Sequence, residues 1–427
     1  MRVIDKINAE VDRLYDDMVS TLQDFIRIPS VTGEEGPAQE FIKKLYEDLG
    51  LEVHSLVADR TKVESHYAYC RSGHPFEGRP NIIGLQKGDP GKQSIILNGH
   101  VDVVPAEPLD QWKHGPWAAE IEGDKMYGRG VADMKGGLIN NLFALKSLNQ
   151  AGLGPMGSIM LQSVVEEEDG GGGGALACFL EGYTADGMIV SEMAPWVTIS
   201  LAGIIRCIIK VQGKSAHPSQ SHLGVNAIGK IIPFYQALEQ LDIRRKAEVH
   251  FPLFEQEGGP ACHLIVGYLR GGEWIATVAG AAEMGVRIGF IPGEKKEDIR
   301  KMIATLVKET ADKDEWLREH PPVLEWHPFQ ADPHYQDPSH PFVRSVISSV
   351  SQVENPATPV KPRGGTWSED TRLAQFFGVP AVSLGPRGER PHGIDECVYL
   401  DSLRSTTKAI ALATYEWCSK DKPKSLD

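Results

Sequence analysis

Short apolar runs that alternate with amphipathic helical stretches set the limits on how this chain can fold. Asn81–Leu85, Ser94–Leu97 and Ser158–Val165 read as strands, and the helical stretch Gly137–Gln150 lies between the last two. Strands alternating with helices build an α/β sheet with both faces covered. Upstream, Ile7, Val11, Leu14, Met18, Leu22, Phe25 and Ile26 recur at helical spacing over residues 4–29 and stop at Pro29. A second amphipathic helix is expected from Pro37 to Leu49.

The rhythm changes between Ile204 and Phe329. Ile204–Val211 reads as a strand, Val225–Leu241 as a helix, His263–Leu269 and Met284–Ile291 as strands, Lys295–Thr310 as a helix and Val323–Trp326 as a short strand. This βαββαβ order is that of a ferredoxin-like unit. The α/β pattern then resumes with helix Pro341–Val353, helix Glu369–Phe377, strand Ala381–Leu384 and helix Leu400–Cys418. The expected architecture is one α/β domain, residues 1–203 and 330–427, interrupted by an inserted smaller domain, residues 204–329.

Composition narrows the class. The chain has 427 residues, 41% apolar and 24% charged, with a formal charge of -14. That balance suits a soluble globular protein and argues against nucleic acid or an anionic membrane surface as partner, since phosphate binding needs clustered Lys and Arg. A small anionic substrate remains compatible with it. The six cysteines include no C-x-x-C pair, which suits free thiols in a reducing compartment. Residues 1–12 lack the apolar core of a signal peptide, and no long uncharged apolar window is present, so a cytoplasmic protein is expected.

Five segments place polar groups where packing alone would not. Ile95–Leu97 leads into Asn98-Gly99-His100-Val101-Asp102, and on a strand His100 and Asp102 point to one side. An aspartate there can accept the second ring N–H of the histidine and fix its tautomer. Tyr127–Gly137 is a glycine-rich loop entering a helix, with Asp133 as a helix cap or a ligand; it lacks the phosphate-loop pattern. Ile159–Val165 runs into Glu166-Glu167-Glu168-Asp169 and five glycines, at the carboxyl edge of a sheet, where α/β folds hold ligands. Met188–Ser191 ends in Glu192, and Arg390-Pro391-His392-Gly393 follows the last strand. Each alone could be a cap or a solvated charge. Together, two histidines and three carboxylates at the ends of separate strands form the donor set that two zinc ions need, with a carboxylate left over as general base.

These motifs, G-H-V-D-V-V-P, G-R-G-x-x-D-M-K-G-G, the glutamate run, G-K-x-A-H and the late histidine, resemble the co-catalytic zinc deacylases and exopeptidases. That family includes acetylornithine deacetylase, succinyl-diaminopimelate desuccinylase, aminoacylase and carboxypeptidase G. The resemblance runs from Ile28-Pro29-Ser30 to the final helix. It implies a zinc-exopeptidase-like α/β/α catalytic domain with an inserted ferredoxin-like dimerisation and lid domain. It also implies two divalent metal ions, zinc first and manganese or cobalt as alternatives, with His100 and Glu192 on one, Glu168 and His392 on the other and Asp133 bridging. Asp102 would orient His100, and Glu167 would be the base. The three glutamates leave that register open by one residue; matching Glu166 to the aspartate of the family's Asp-Glu-Glu selects Glu167 as base and Glu168 as ligand. The Asp133–Met134 peptide is expected cis. In a homodimer joined through the inserted domain, His217 would reach the partner's site and polarise the scissile carbonyl. Asn226 matches a position near that site, and Arg287 and Arg372 are candidates for holding a substrate carboxylate.

This sequence also departs from the family. Met193-Ala194 follow Glu192 where Pro-Thr is usual, Val278-Ala279 stands for Val-Pro, and Trp367-Ser368-Glu369-Asp370 intervene after Gly364-Gly365-Thr366. The expected activity is hydrolysis of an amide-type C–N bond in a small, carboxylate-bearing substrate such as an N-acyl amino acid, or in an unusual amine or aryl amine. A di- or exopeptidase is the alternative within the same chemistry, and a non-catalytic binding protein the alternative outside it.

Overall fold

A computed structural model describes residues 2–154, 156–256, 258–354 and 360–423. By packing, the chain divides into two units: residues 2–199, 335–363 and 369–423 form the first, and residues 200–334 with 364–368 the second.

The first unit is built on a mixed sheet. From one edge its strands run Glu52–Leu56, Asn81–Gln86, Ile159–Val164, Ile95–His100, Met188–Val190 and Ala381–Ser383. The last four are mutually parallel, and the first two pair antiparallel at the edge. The central strands are buried on both faces, which is why they read as unbroken apolar runs. One face carries Ile96, Met160, Val164 and Met188 against the helix Ala175–Leu180 and Leu373. Helix Gly136–Gln150 packs close to strand Ile95–His100 and is flanked by the helices Val3–Arg13 and Leu400–Cys418. It is apolar on nearly every side because it is enclosed, and its amides tie it down: Asn140 Nδ2 donates to the Leu403 carbonyl (2.7 Å) and Asn141 Nδ2 to the Asn98 carbonyl (3.1 Å).

The second unit has a four-stranded antiparallel sheet in the spatial order Leu264–Gly271, Ala281–Phe290, Gly203–Gln212, Val323–Ala331. Numbered along the chain this is 2-3-1-4, the order of a ferredoxin-like βαββαβ unit. Helices Ala227–Glu248 and Lys296–Ala311 cover one face, with Ile231, Phe234, Leu238, Ile299 and Ile303 against Ile205, Cys207, Met284 and Val286.

Several elements differ from the sequence expectation. The long first helix breaks at Leu14 into Val3–Arg13 and Tyr15–Ile26. The helix expected over Glu369–Phe377 shrinks to Thr371–Ala374 and a 3-10 turn, stopped by Gly378 at φ +68°. Strand Val323–Trp326 continues to Ala331 through a bulge. A small sheet of Glu120–Glu122, Lys125–Tyr127, Cys397–Tyr399 and Gly388–Glu389 was not expected, because two- or three-residue strands carry no readable period. All six cysteines are buried and unpaired. No described helix is long and apolar enough to cross a membrane.

Candidate metal centre

The carboxyl ends of the parallel strands converge on one place. Strand Ile95–His100 delivers His100, which is 1% exposed, and its Nδ1 lies 2.8 Å from the backbone carbonyl of Asp102. A carbonyl only accepts, so in a neutral ring Nδ1 carries the proton and Nε2 presents its lone pair. That lone pair faces Asp133 Oδ1 at 3.1 Å and Glu192 Oε2 at 3.5 Å. The Asp102 carboxylate stands farther off, at 3.5 Å from Nδ1, and has other work. It accepts the backbone N–H groups of Glu167 and Glu168, both at 3.2 Å, and the Thr32 hydroxyl at 3.1 Å. Asp102 thus meets His100 through its carbonyl, with its carboxylate 3.5 Å away, and the same carboxylate holds the glutamate loop.

Asp133 sits in the turn between Gly130, at φ +80°, and the helix that starts at Gly136, and the Asp133–Met134 peptide is cis. Its Oδ2 lies 3.2 Å from His392 Nε2, so one carboxylate spans both imidazoles. His392 is held at φ +59° and also meets Glu168 at 3.1 Å. Donor atoms of His100, Asp133 and Glu168 all lie within 4.8 Å of one another. Gly137 makes this approach feasible: a Cβ there would come 1.8 Å from the Ser191 carbonyl oxygen, beside Glu192. Gly137→Ala is accordingly expected to push the helix off the strand end. The cost should be about 1–3 kcal/mol, read as a fall in thermal unfolding temperature.

The three consecutive glutamates separate by environment. Glu166, at φ +63°, turns inward, where its carboxylate accepts from Arg79 Nη2 (2.6 Å), the Ser72 hydroxyl (2.6 Å) and the Gly173 N–H (3.0 Å). Glu168 faces His392, and Glu167 beside it is half-buried. Burial pushes the Glu167 carboxyl well up, with Asp370, Glu168 and Glu192 adding to the effect against the pull of His100. Burial, then Asp133, raises Glu168 to about 7 and Glu192 well above the usual range. His392, hydrogen-bonded to Asp133 and Glu168, is raised to about 10. Protein atoms alone leave these carboxylates crowded against one another. A divalent cation among two imidazoles and several carboxylates would relieve that crowding, and this donor set is of the type that zinc takes.

The other expected site residues lie elsewhere. Arg372 is 2% exposed and donates to the carbonyls of Gly170 and Ala68 and to Cys70 Sγ. Its guanidinium is enclosed and engaged, so it braces the glycine loop rather than meeting a substrate. Its loss should therefore lower stability and leave KM unmoved, which unfolding and steady-state kinetics on Arg372→Lys would separate. His217, Asn226 and Arg287 belong to the second unit. Exposed His217 accepts the Ser219 N–H at Nδ1 (3.2 Å), which leaves the proton of a neutral ring on Nε2, ready to donate. Asn226 caps helix Ala227–Glu248 by accepting the Ile228 N–H (3.0 Å). Arg287 donates to the Thr366 carbonyl (3.0 Å) and stands opposite Arg206 on the neighbouring strand, beside a cavity of about 390 Å³ that Tyr268 and His327 also line. Two contributors were not singled out from sequence: Arg79, which anchors Glu166, and Glu396, which accepts the Asp133 N–H (3.1 Å). Neither follows an apolar run in the sequence, and each reads there as an ordinary surface charge.

The chain resembles proteins of known type over nearly its whole length. It is 27% identical to an N-formyl-4-amino-5-aminomethyl-2-methylpyrimidine deformylase of Halalkalibacterium halodurans, over 98% of both chains. It is 30% identical to a Bacillus subtilis protein of the same name, over 81% of this chain and 85% of that one. Among solved structures, a dinuclear metal binding peptidase of Bacillus subtilis superposes with a TM-score of 0.65 at 14% identity, covering 95% of this chain and 99% of that one. The model of peptidase family M20/M25/M40 matches residues 96–416, a span that holds all five converging donors. This chain belongs to that family, as a metal-dependent hydrolase of amide-type C–N bonds.

Proposed function

We propose that this chain removes a small acyl group, formyl above all, from the amine of a compact aromatic substrate. The observation that carries the reading is the likeness, over 98% and 81% of this chain, to two proteins named as deformylases of an N-formyl aminopyrimidine. The residues after Glu192 and after Thr366 also depart from those usual in amino-acid deacylases. His100, Asp133, Glu168, Glu192 and His392 would hold two divalent ions, zinc as the first choice and manganese or cobalt as the alternatives. Bound ions supply Lewis-acid charge stabilisation and acidify water.

The chain's own groups do the rest. Glu167 takes a proton from water at its carboxylate and passes it to the departing amine. The Asp102 carboxylate holds the Glu167 and Glu168 backbone so that base and ligand keep their relative places. His217 of a second copy donates from Nε2 to the oxygen that gains charge, and Arg287 contacts the substrate. The copies meet through the second unit, which makes the protein a homodimer. Its edge strand exposes Ile265 and Leu269, and helix Ala227–Glu248 exposes Ile228, Ile232, Tyr235 and Ile243 on one side. An apolar helix face beside an open strand edge is the kind of surface that pairing covers. Its place of work is the cytoplasm.

The test is a comparison of kcat/KM for metal-loaded protein on the formylaminopyrimidine, on N-acyl amino acids and on dipeptides. The first should lead by about tenfold or more. Preference for a dipeptide would overturn the reading in favour of an exopeptidase. Chelation should lower activity by on the order of 100-fold or more, with zinc or cobalt restoring it.

A further inference from the structure

We propose that Glu396 and Arg129 form a positioning pair that locks the loop of Asp133 to the loop of His392, and thereby sets how tightly the centre holds its second ion. The inference rests on the metal reading above and concerns residues outside the donor set.

Glu396 is fully buried, and both of its oxygens are saturated. Oε2 accepts from Arg129 Nη1 at 2.6 Å and from the Gly130 N–H at 3.1 Å; Oε1 accepts from the Ala132 N–H at 3.0 Å and the Asp133 N–H at 3.1 Å. Three N–H groups within four residues thus point at one carboxylate, in a turn whose Gly130 is left-handed. Without an acceptor at that spot these donors would be buried and unsatisfied, and the turn that aims Asp133 would open. Arg129, 2% exposed, completes the link. Its Nη2 donates to the carbonyl of His392 (3.2 Å) and to that of Pro105 (3.3 Å), on the segment leaving His100 and Asp102. The Gly128 N–H returns to the Glu396 carbonyl at 3.0 Å. One ion pair therefore joins three donor-bearing segments that are far apart in sequence. Groups that orient metal ligands from behind commonly change metal affinity by about 10–100-fold when altered.

The experiment titrates Co²⁺ into metal-free wild type, Glu396→Gln, Arg129→Lys and a control, Glu294→Gln, by calorimetry, and records the visible absorption of each cobalt-loaded protein. The control breaks the pair Glu294–Arg245 (2.9 Å) in the second unit. In Glu396→Gln the new side-chain amide would turn its N–H₂ toward Gly130 or Arg129, donor against donor. Both test variants should keep the wild-type circular dichroism in chelator. They should bind one of two Co²⁺ ions about 10–100-fold more weakly, with a shifted d–d band, while the control matches wild type. Wild-type affinities and spectrum in the variants would overturn the proposal. Should Glu396→Gln not fold, Arg129→Lys, which keeps the charge, decides alone. Wild type that takes up no Co²⁺ would overturn the metal reading and this proposal together, whereas wild type and variants that take up two ions with equal affinity would overturn only the proposal.

Discussion

Glu167→Gln is expected to cut turnover by on the order of 100-fold or more while both ions stay bound. The substitution keeps size and hydrogen-bonding capacity but cannot accept a proton from water. Glu168→Gln should behave differently and lose metal, because Glu168 is the member of the run that touches His392 and lies beside Asp133. Glu166→Gln should instead unsettle the fold, since that carboxylate is paired with Arg79 in the interior. Metal content by mass spectrometry, kcat and thermal unfolding separate the three. If Glu167→Gln lost metal while Glu168→Gln lost only turnover, the base and the ligand would have to be exchanged.

Subunit complementation should give the second large effect. His217→Ala and Glu167→Gln homodimers are each expected to be nearly inactive, because one lacks the donor to the oxyanion and the other the base. Mixed in equal amounts and allowed to exchange, they should recover about a quarter of wild-type activity: half of the dimers are then mixed, and one of the two sites in each regains both groups. Tagged subunits would verify exchange. No recovery on verified exchange would place His217 in the service of its own chain, or of none.

The convergence of these side chains was readable in part because most of them sit where a regular pattern stops. His100, Glu168 and Glu192 follow apolar strands, and a polar residue just past a buried strand stands out against its neighbours. Asp133 was marked by glycines that a turn of this shape requires. The ferredoxin-like unit was legible because its strands and helices are long enough to show their periods. What escaped was direction. An arginine in a motif has the same letters whether it faces a ligand or, like Arg372, a carbonyl in the interior. Asp102 was rightly grouped with His100 by spacing, yet spacing does not say whether carbonyl or carboxylate makes the bond. Glu396 lies four residues beyond His392 in a segment without period, and its four donors come from residues 129–133, a pairing that only the folded chain reveals.

The five converging donors span residues 100 to 392, and the whole second unit is threaded between Glu192 and His392. During synthesis the chain would therefore expose His100, Asp133, Glu168 and Glu192 as a half-built acidic pocket throughout the translation of some two hundred intervening residues. Contacts of such long sequence separation form late and slowly. On the proposed metal assignment, a nascent chain stalled before residue 392 would lack one of the two imidazoles, and ion uptake would report that the C-terminal segment has reached its place.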